Sequence, residues 1–124
     1  MRLVAIIASA VTAIAISSAA AQSQLELNAR AAGDLRKSDE QLNAVYDKLR
    51  AKISDAGKKS LQTAQQSWLR FRDHECEFET MGTVGGSIHS MIVALCLTRL
   101  ADQRIKDLDA QLNCKEGDLS CGGQ

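Results

Sequence analysis

The chain has 124 residues, with 15 basic and 15 acidic side chains, four cysteines, no proline, and only one Trp, one Tyr and two Phe. That length fits one domain around one core. Lys and Arg are interleaved with Asp and Glu throughout, which excludes the basic stripe of a nucleic-acid binder and reads as solvated helix faces.

The chain opens with a cationic Met1-Arg2, an apolar run from Leu3 to Ile16, and the small residues Ser17-Ser18-Ala19-Ala20-Ala21. This is the layout of a secretory signal peptide spanning 1–21 with cleavage after Ala21. The uninterrupted apolar run falls short of the ~20 residues a spanning helix needs, so no membrane span is expected after cleavage, and the product is expected in the periplasm or outside the cell. Once Arg2 is removed, residues 22–124 carry one more acidic than basic residue.

That segment is rich in good helix formers and lacks any period-two alternation of β-branched residues, so the expected class is all-α, a small antiparallel bundle of about three helices. The first helix carries Leu35, Leu42, Val45 or Tyr46, Leu49 and Ile53 on one face, and begins either at Ser23 or after Gly33 with Asp34 as cap. Ser54-Asp55-Ala56-Gly57 stops it, with Gly57 suited to a left-handed helix end. A second helix spans about Lys58 to about Thr80. It sets Leu61, Ala64, Trp68, Phe71, Glu75 and Phe78 at steps of three and four, a core stripe in which the aromatic residues are expected to be buried.

Three glycines in Met81-Gly82-Thr83-Val84-Gly85-Gly86-Ser87 then break the pattern, which marks the tip of a helical hairpin with Ser87 as a candidate cap. A third helix carries Ile88, Ile92, Leu95, Ala101, Ile105, Leu108 and Leu112 and ends near Asn113. Residues 114–124 are short and Gly-rich and read as a flexible tail.

Four cysteines in an exported chain suggest disulfides, and four allow three connectivities. In a hairpin folded at Gly86, Cys76 and Cys96 stand ten residues to either side and meet at one height. Cys96 and Cys114 would be separated by about 27 Å along one helix, beyond disulfide reach. Cys76 and Cys114 lie at opposite ends of the hairpin. The expected pairs are Cys76–Cys96 and Cys114–Cys121. Zinc held by His74, Cys76, His89 and Cys96 is the competing reading, but the spacing matches no Cys/His metal motif and an oxidising compartment favours the bridge, so no metal or cofactor is expected. Ser87 and His89, two apart on a helix, do not face each other and make no nucleophile–base pair. Arg99, at the height of Asp73 across the hairpin, is the expected partner of Asp73.

The residues Leu42-Asn43, Tyr46, Leu49, Leu61, Ala64-Gln65, Trp68, Phe71-Arg72-Asp73, Cys76, Gly85-Gly86-Ser87, Cys96, Thr98, Arg99 and Leu108 resemble the LprI-type lysozyme inhibitor N-terminal domain family. The Trp-x-x-Phe-Arg-Asp-x-x-Cys portion is the specific part. The resemblance implies an exported, helical, non-enzymatic domain over residues 22–113 with a protein partner, lysozyme being the one the family's name supplies. The runner-up is a periplasmic structural or envelope-stress module. In one departure, Arg30 in Glu26-Leu27-Asn28-Ala29-Arg30 stands where the family usually has a Cys. The candidate contact residues are the apolar and Gly-rich tip, Met81, Val84, Gly85, Gly86, Ser87 and His89, because loops held on a rigid scaffold concentrate binding residues. Arg72, Asp73 and Arg99 on the adjoining helix faces come next.

Overall fold

A computed structural model describes residues 3–115 and 117–123, and among these the chain is all-helical. Helix α1 runs Leu3–Lys52, α2 Asp55–Glu79 and α3 His89–Leu112, with a short 3-10 helix at Met81–Thr83. Successive helices are antiparallel, so α1 and α3 run the same way. Ser38 of α1 meets Asp102 of α3, and the ends of α1 and α3 that follow each of these residues share one core. Among the described residues no helix is long and apolar enough to cross a membrane.

The α1–α3 interface is the largest in the bundle, and its spacing explains why. The inward positions of α1 are Gln24, Asn28, Ala31, Leu35, Ser38, Leu42, Val45 and Leu49, alternating steps of four and three. On α3 they are Met91, Ala94, Thr98, Ala101, Ile105, Leu108 and Leu112, with the same alternation. A 3.5-residue repeat on both partners keeps one seam facing the other along its length. Small residues, Ala31, Ser38, Ala94 and Ala101, fill its upper part, and Ala101 is completely buried. Larger ones, Leu42, Val45, Leu49, Ile53 and Leu108, form the core below it. The seam's one buried hydroxyl, on Ser38, donates to Asp102 at 2.5 Å, so it is not left unsatisfied.

Three expectations are corrected here. First, of the two starts considered for α1 the one after Gly33 fails: the helix passes through Gly33 without a break and extends back past Ser23 to Leu3. Second, Gly57 does not end α1: α1 stops at Lys52, Ser54 caps α2 by accepting from the Gly57 amide at 3.2 Å, and Gly57 lies buried inside α2's first turns. Third, the core stripe of α2 is one residue out of the expected register. The inward line is Gly57, Leu61, Gln65, Trp68, Arg72 and Cys76, while Ala64, Phe71 and Phe78 face outward, the two Phe being 53% and 70% exposed. Ile88, just before α3, and Leu95 on it are likewise exposed rather than core.

The α2 correction has a chemical cause. Gln65 and Arg72 go inside because each finds a partner there. Gln65 Oε1 accepts from Arg104 Nε of α3 at 3.0 Å, and Arg72 Nη1 donates to Asp39 of α1 at 2.7 Å. Both guanidiniums also lie over Trp68, their central carbons 5.3 and 5.8 Å from its ring centre, within cation–π range. Trp68 is half-buried and packs against the core with both guanidiniums at its ring.

Candidate functional site: the hairpin tip

Cys76 and Cys96 are bridged, with Cα atoms 5.7 Å apart, so α2 and α3 are tied where they approach the tip. Both cysteines are buried. Their pairing also removes the sulfurs from any zinc site: His74 instead contacts Glu77 at 3.3 Å and His89 faces Thr83 at 2.8 Å. Cys114 and Cys121 form the second bridge. Together with Asp118 they make the one group of metal-compatible spacing among the described residues, and its sulfurs are bonded to each other.

Above the bridge the tip is a chain of turns. Thr80, almost fully buried, closes α2 by donating its hydroxyl to the Cys76 carbonyl at 2.7 Å. Thr83 then donates amide and hydroxyl to the Thr80 carbonyl, Gly86 donates to Thr83, and His89 to Gly86. Gly85, at φ 84°, takes the left-handed step that a residue with a side chain resists. Ser87 does not cap α3, whose first turn has no side-chain cap. Its carbonyl instead accepts from Asn28 Nδ2 of α1 at 3.1 Å, which pins the loop to α1.

This scaffold displays apolar side chains to solvent: Met81 is 66% and Val84 71% exposed. Phe78, in the last turns of α2, adds a third. Beside Val84 a cleft of about 520 Å³ runs down between α2 and α3 past His89, Val93 and Leu97, edged by Asp73 and Glu77. The same stretch of α2 carries Asp73, Glu75, Glu77 and Glu79 with no basic residue in its last turn. Carboxylates at a helix C-terminus oppose the helix dipole; Asp73 stands 3.6 Å from Arg72 Nε, Glu77 contacts His74 and Glu79 is paired with Arg99.

Of the sequence candidates, Met81, Val84, Gly85, Gly86, Ser87 and His89 are brought together at the tip. Arg72 is not, since its side chain is only 12% exposed and is committed to Asp39. Arg99 does not pair with Asp73. It forks onto Glu79, with Nη2 at 2.8 Å from each carboxylate oxygen, because Glu79 rather than Asp73 faces it across the bridge. Sequence reasoning also missed Asn28, Thr80 and Thr83, polar residues whose roles are set by contacts to backbone carbonyls and leave no mark on hydrophobic spacing.

At the other end of the molecule the tail returns to the α1–α2 turn. Gln111 Nε2 donates to the Ser120 carbonyl and its Oε1 accepts from the Gly122 amide at 2.7 Å. The Gly123 carbonyl accepts from the Ser54 amide at 2.8 Å. A Cβ on Gly57 would lie 2.7 Å from Gly123 Cα, so this approach of backbone to backbone requires glycine.

The fold recurs in a solved structure. A DUF1311 family protein of Pseudomonas putida KT2440 superposes with a TM-score of 0.66 at 21% identity, over 73% of this chain and 94% of that one. An uncharacterized protein of Rhizobium meliloti (strain 1021) is 30% identical over 109 residues, covering 77% of this chain and 78% of its own length. The sequence pattern of the family described as lysozyme inhibitor LprI matches residues 15–108. With three helices, the stapled hairpin and this match along most of its length, the chain belongs to the LprI family.

Proposed function

We propose that the protein is an exported, non-enzymatic binding domain, released from a signal peptide at Ala21, that inhibits a lysozyme-type muramidase through the tip formed by residues 81–89. The observation that carries this reading is the combination at one end of the hairpin of exposed Met81 and Val84 with the acids Asp73, Glu75 and Glu77 on the adjoining stretch of α2. A protruding apolar loop with acidic shoulders is complementary to a concave, positively charged enzyme surface, where charge steers the encounter and the loop fills the cleft. The family's name supports the choice of partner, and the two disulfides support an oxidising compartment.

The test is a titration of the purified protein against lysozyme, following lysis of cell walls, alongside a variant in which residues 81–87 are replaced by a short Gly-Ser connection. Inhibition by the parent, lost in the variant while helicity and melting are kept, supports the proposal. Inhibition retained by the variant moves the site to the faces bearing Asp73 and Arg99. The exposed pair Phe71 and Phe78 on one face of α2 favours the second reading, a structural or envelope-stress module with another envelope component as partner. Absence of inhibition, with binding lost on Phe71→Ser and Phe78→Ser, would establish it.

A further inference from the structure

At the end of the bundle opposite the tip, the α1–α2 turn, α3 and the returning tail enclose a groove of about 620 Å³, within the range of small-molecule sites. Leu49, Ile53, Leu61 and Leu108 make its apolar wall, and Arg104 and Asp107 are its two charged groups. Arg104 is held by its stem: Nε donates to Gln65 at 3.0 Å and the guanidinium lies over Trp68. No side-chain carboxylate lies within 4.0 Å of it among the described residues. Asp107 is turned to Gln103, whose amide donates to it at 3.2 Å. Burial strips water from Arg104 and lowers its pKa, only partly offset by the charge of Asp107. A guanidinium fixed at Nε and on one face offers its terminal nitrogens as a ready-oriented fork, the geometry that suits a carboxylate.

We propose that this groove binds an amphipathic monocarboxylate of the fatty-acid type, its carboxylate on the terminal nitrogens of Arg104 and its chain along Leu49, Ile53, Leu61 and Leu108. The apolar lining suits a hydrocarbon chain, and the single cation of the lining sets which end of it lies against α3. The site is independent of the tip and of any muramidase.

Calorimetric titration of the purified protein with decanoate and with 1-decanol tests this. Decanoate should bind saturably with one site per chain, and decanol at least tenfold more weakly, since it forgoes the charge-assisted hydrogen bonds. Arg104→Gln should weaken decanoate roughly tenfold or more, the scale of a lost hydrogen bond to a charged group. Because that change also touches Gln65 and Trp68, a second variant, Ala64→Phe, fills the groove from its exposed rim and leaves Arg104 in place. It should abolish binding while circular dichroism stays that of the parent. Equal affinity for decanol, decanoate binding that survives Ala64→Phe, or no saturable binding by the parent up to millimolar decanoate would each overturn the proposal.

Discussion

Arg72 on α2 sets one terminal nitrogen 2.7 Å from the Asp39 carboxylate on α1 while its guanidinium carbon stands 5.3 Å from the ring centre of Trp68. One side chain thus joins the two antiparallel helices and covers the face of the aromatic that packs on the core. Asp39 is more open than Arg72, 40% against 12% exposed at the side chain, so the pair is worth less than a fully buried one. Asp39→Asn should cost about 1–2 kcal/mol, between the values for surface and buried pairs. Arg72→Lys should cost about as much, since an ammonium on a flexible stem recovers neither the fixed guanidinium geometry nor the stacking. Urea unfolding of the two variants and the double variant measures the coupling. A coupling indistinguishable from zero would mean the bridge contributes no stability.

Trp68→Ala should destabilise the protein by ~2–4 kcal/mol, shifted below the range for emptying a fully buried aromatic site because the ring is half-buried. Phe71→Ala and Phe78→Ala should each cost less than ~1 kcal/mol, as exposed positions do. The contrast separates the observed register of α2 from the one that hydrophobic spacing suggests. Thermal melts of the three variants decide between them, and a Phe71 variant as damaged as the Trp68 variant would contradict the structure.

The two disulfides should differ in what they stabilise. Converting both Cys76 and Cys96 to Ala should cost roughly 3 kcal/mol, the loop-closure value for cysteines 20 residues apart. Converting Cys114 and Cys121, 7 apart and outside the helical core, should leave global unfolding within about 1 kcal/mol of the parent while freeing the Gly123–Ser54 contact. Hydrogen exchange at the Ser54 amide reads the second effect. Gly57→Ala should raise exchange at the same amide, since its Cβ collides with Gly123.

Asp118 gives a pH signature. Its carboxylate accepts from the Ser120 hydroxyl at 2.7 Å and the Ser120 amide at 2.9 Å, and these bonds, the hydroxyl's first, hold its pKa below the ordinary carboxylate value. A depressed carboxylate stabilises the folded form above its unfolded pKa of about 3.9. That contribution is therefore present at neutral pH and is lost as pH falls through the lowered value. NMR titration should place Asp118 below the ordinary carboxylate value, and Ser120→Ala should move it back up. An unchanged midpoint in Ser120→Ala would show that the hydroxyl does not hold it.

Much of the fold is legible in composition and spacing. The α1–α2 break falls at Ser54 and the α2–α3 break at Gly82, Gly85 and Gly86, and the symmetric placement of Cys76 and Cys96 about Gly86 identifies the stapled hairpin. What hydrophobic spacing misreads is α2. Its inner face carries Gln65 and Arg72, whose partners Arg104 and Asp39 lie 39 and 33 residues away, and no local pattern announces that a polar group will be satisfied from that distance. The α1–α3 seam is half hidden for a different reason. Its upper positions are Ala31, Ser38, Ala94 and Ala101, which are inward because they are small, and small residues look alike on either face of a helix. The tip is visible as a run of glycines, but its anchoring to Asn28 is not.

The parallel pairing of α1 with α3 also orders events in time. The partners in this seam are far apart in sequence, Ser38 and Asp102 by 64 residues, with all of α2 between them. The α2–α3 hairpin is local and closes a short loop, so it is the natural first structure when the chain folds, while the largest interface carries the greatest loop-closure cost and forms on that template. During synthesis α1 emerges first and holds Leu42, Val45 and Leu49 without their partner until α3 has been made. A chain interrupted before His89 is therefore expected to present that apolar stripe to whatever holds or escorts unfolded chains.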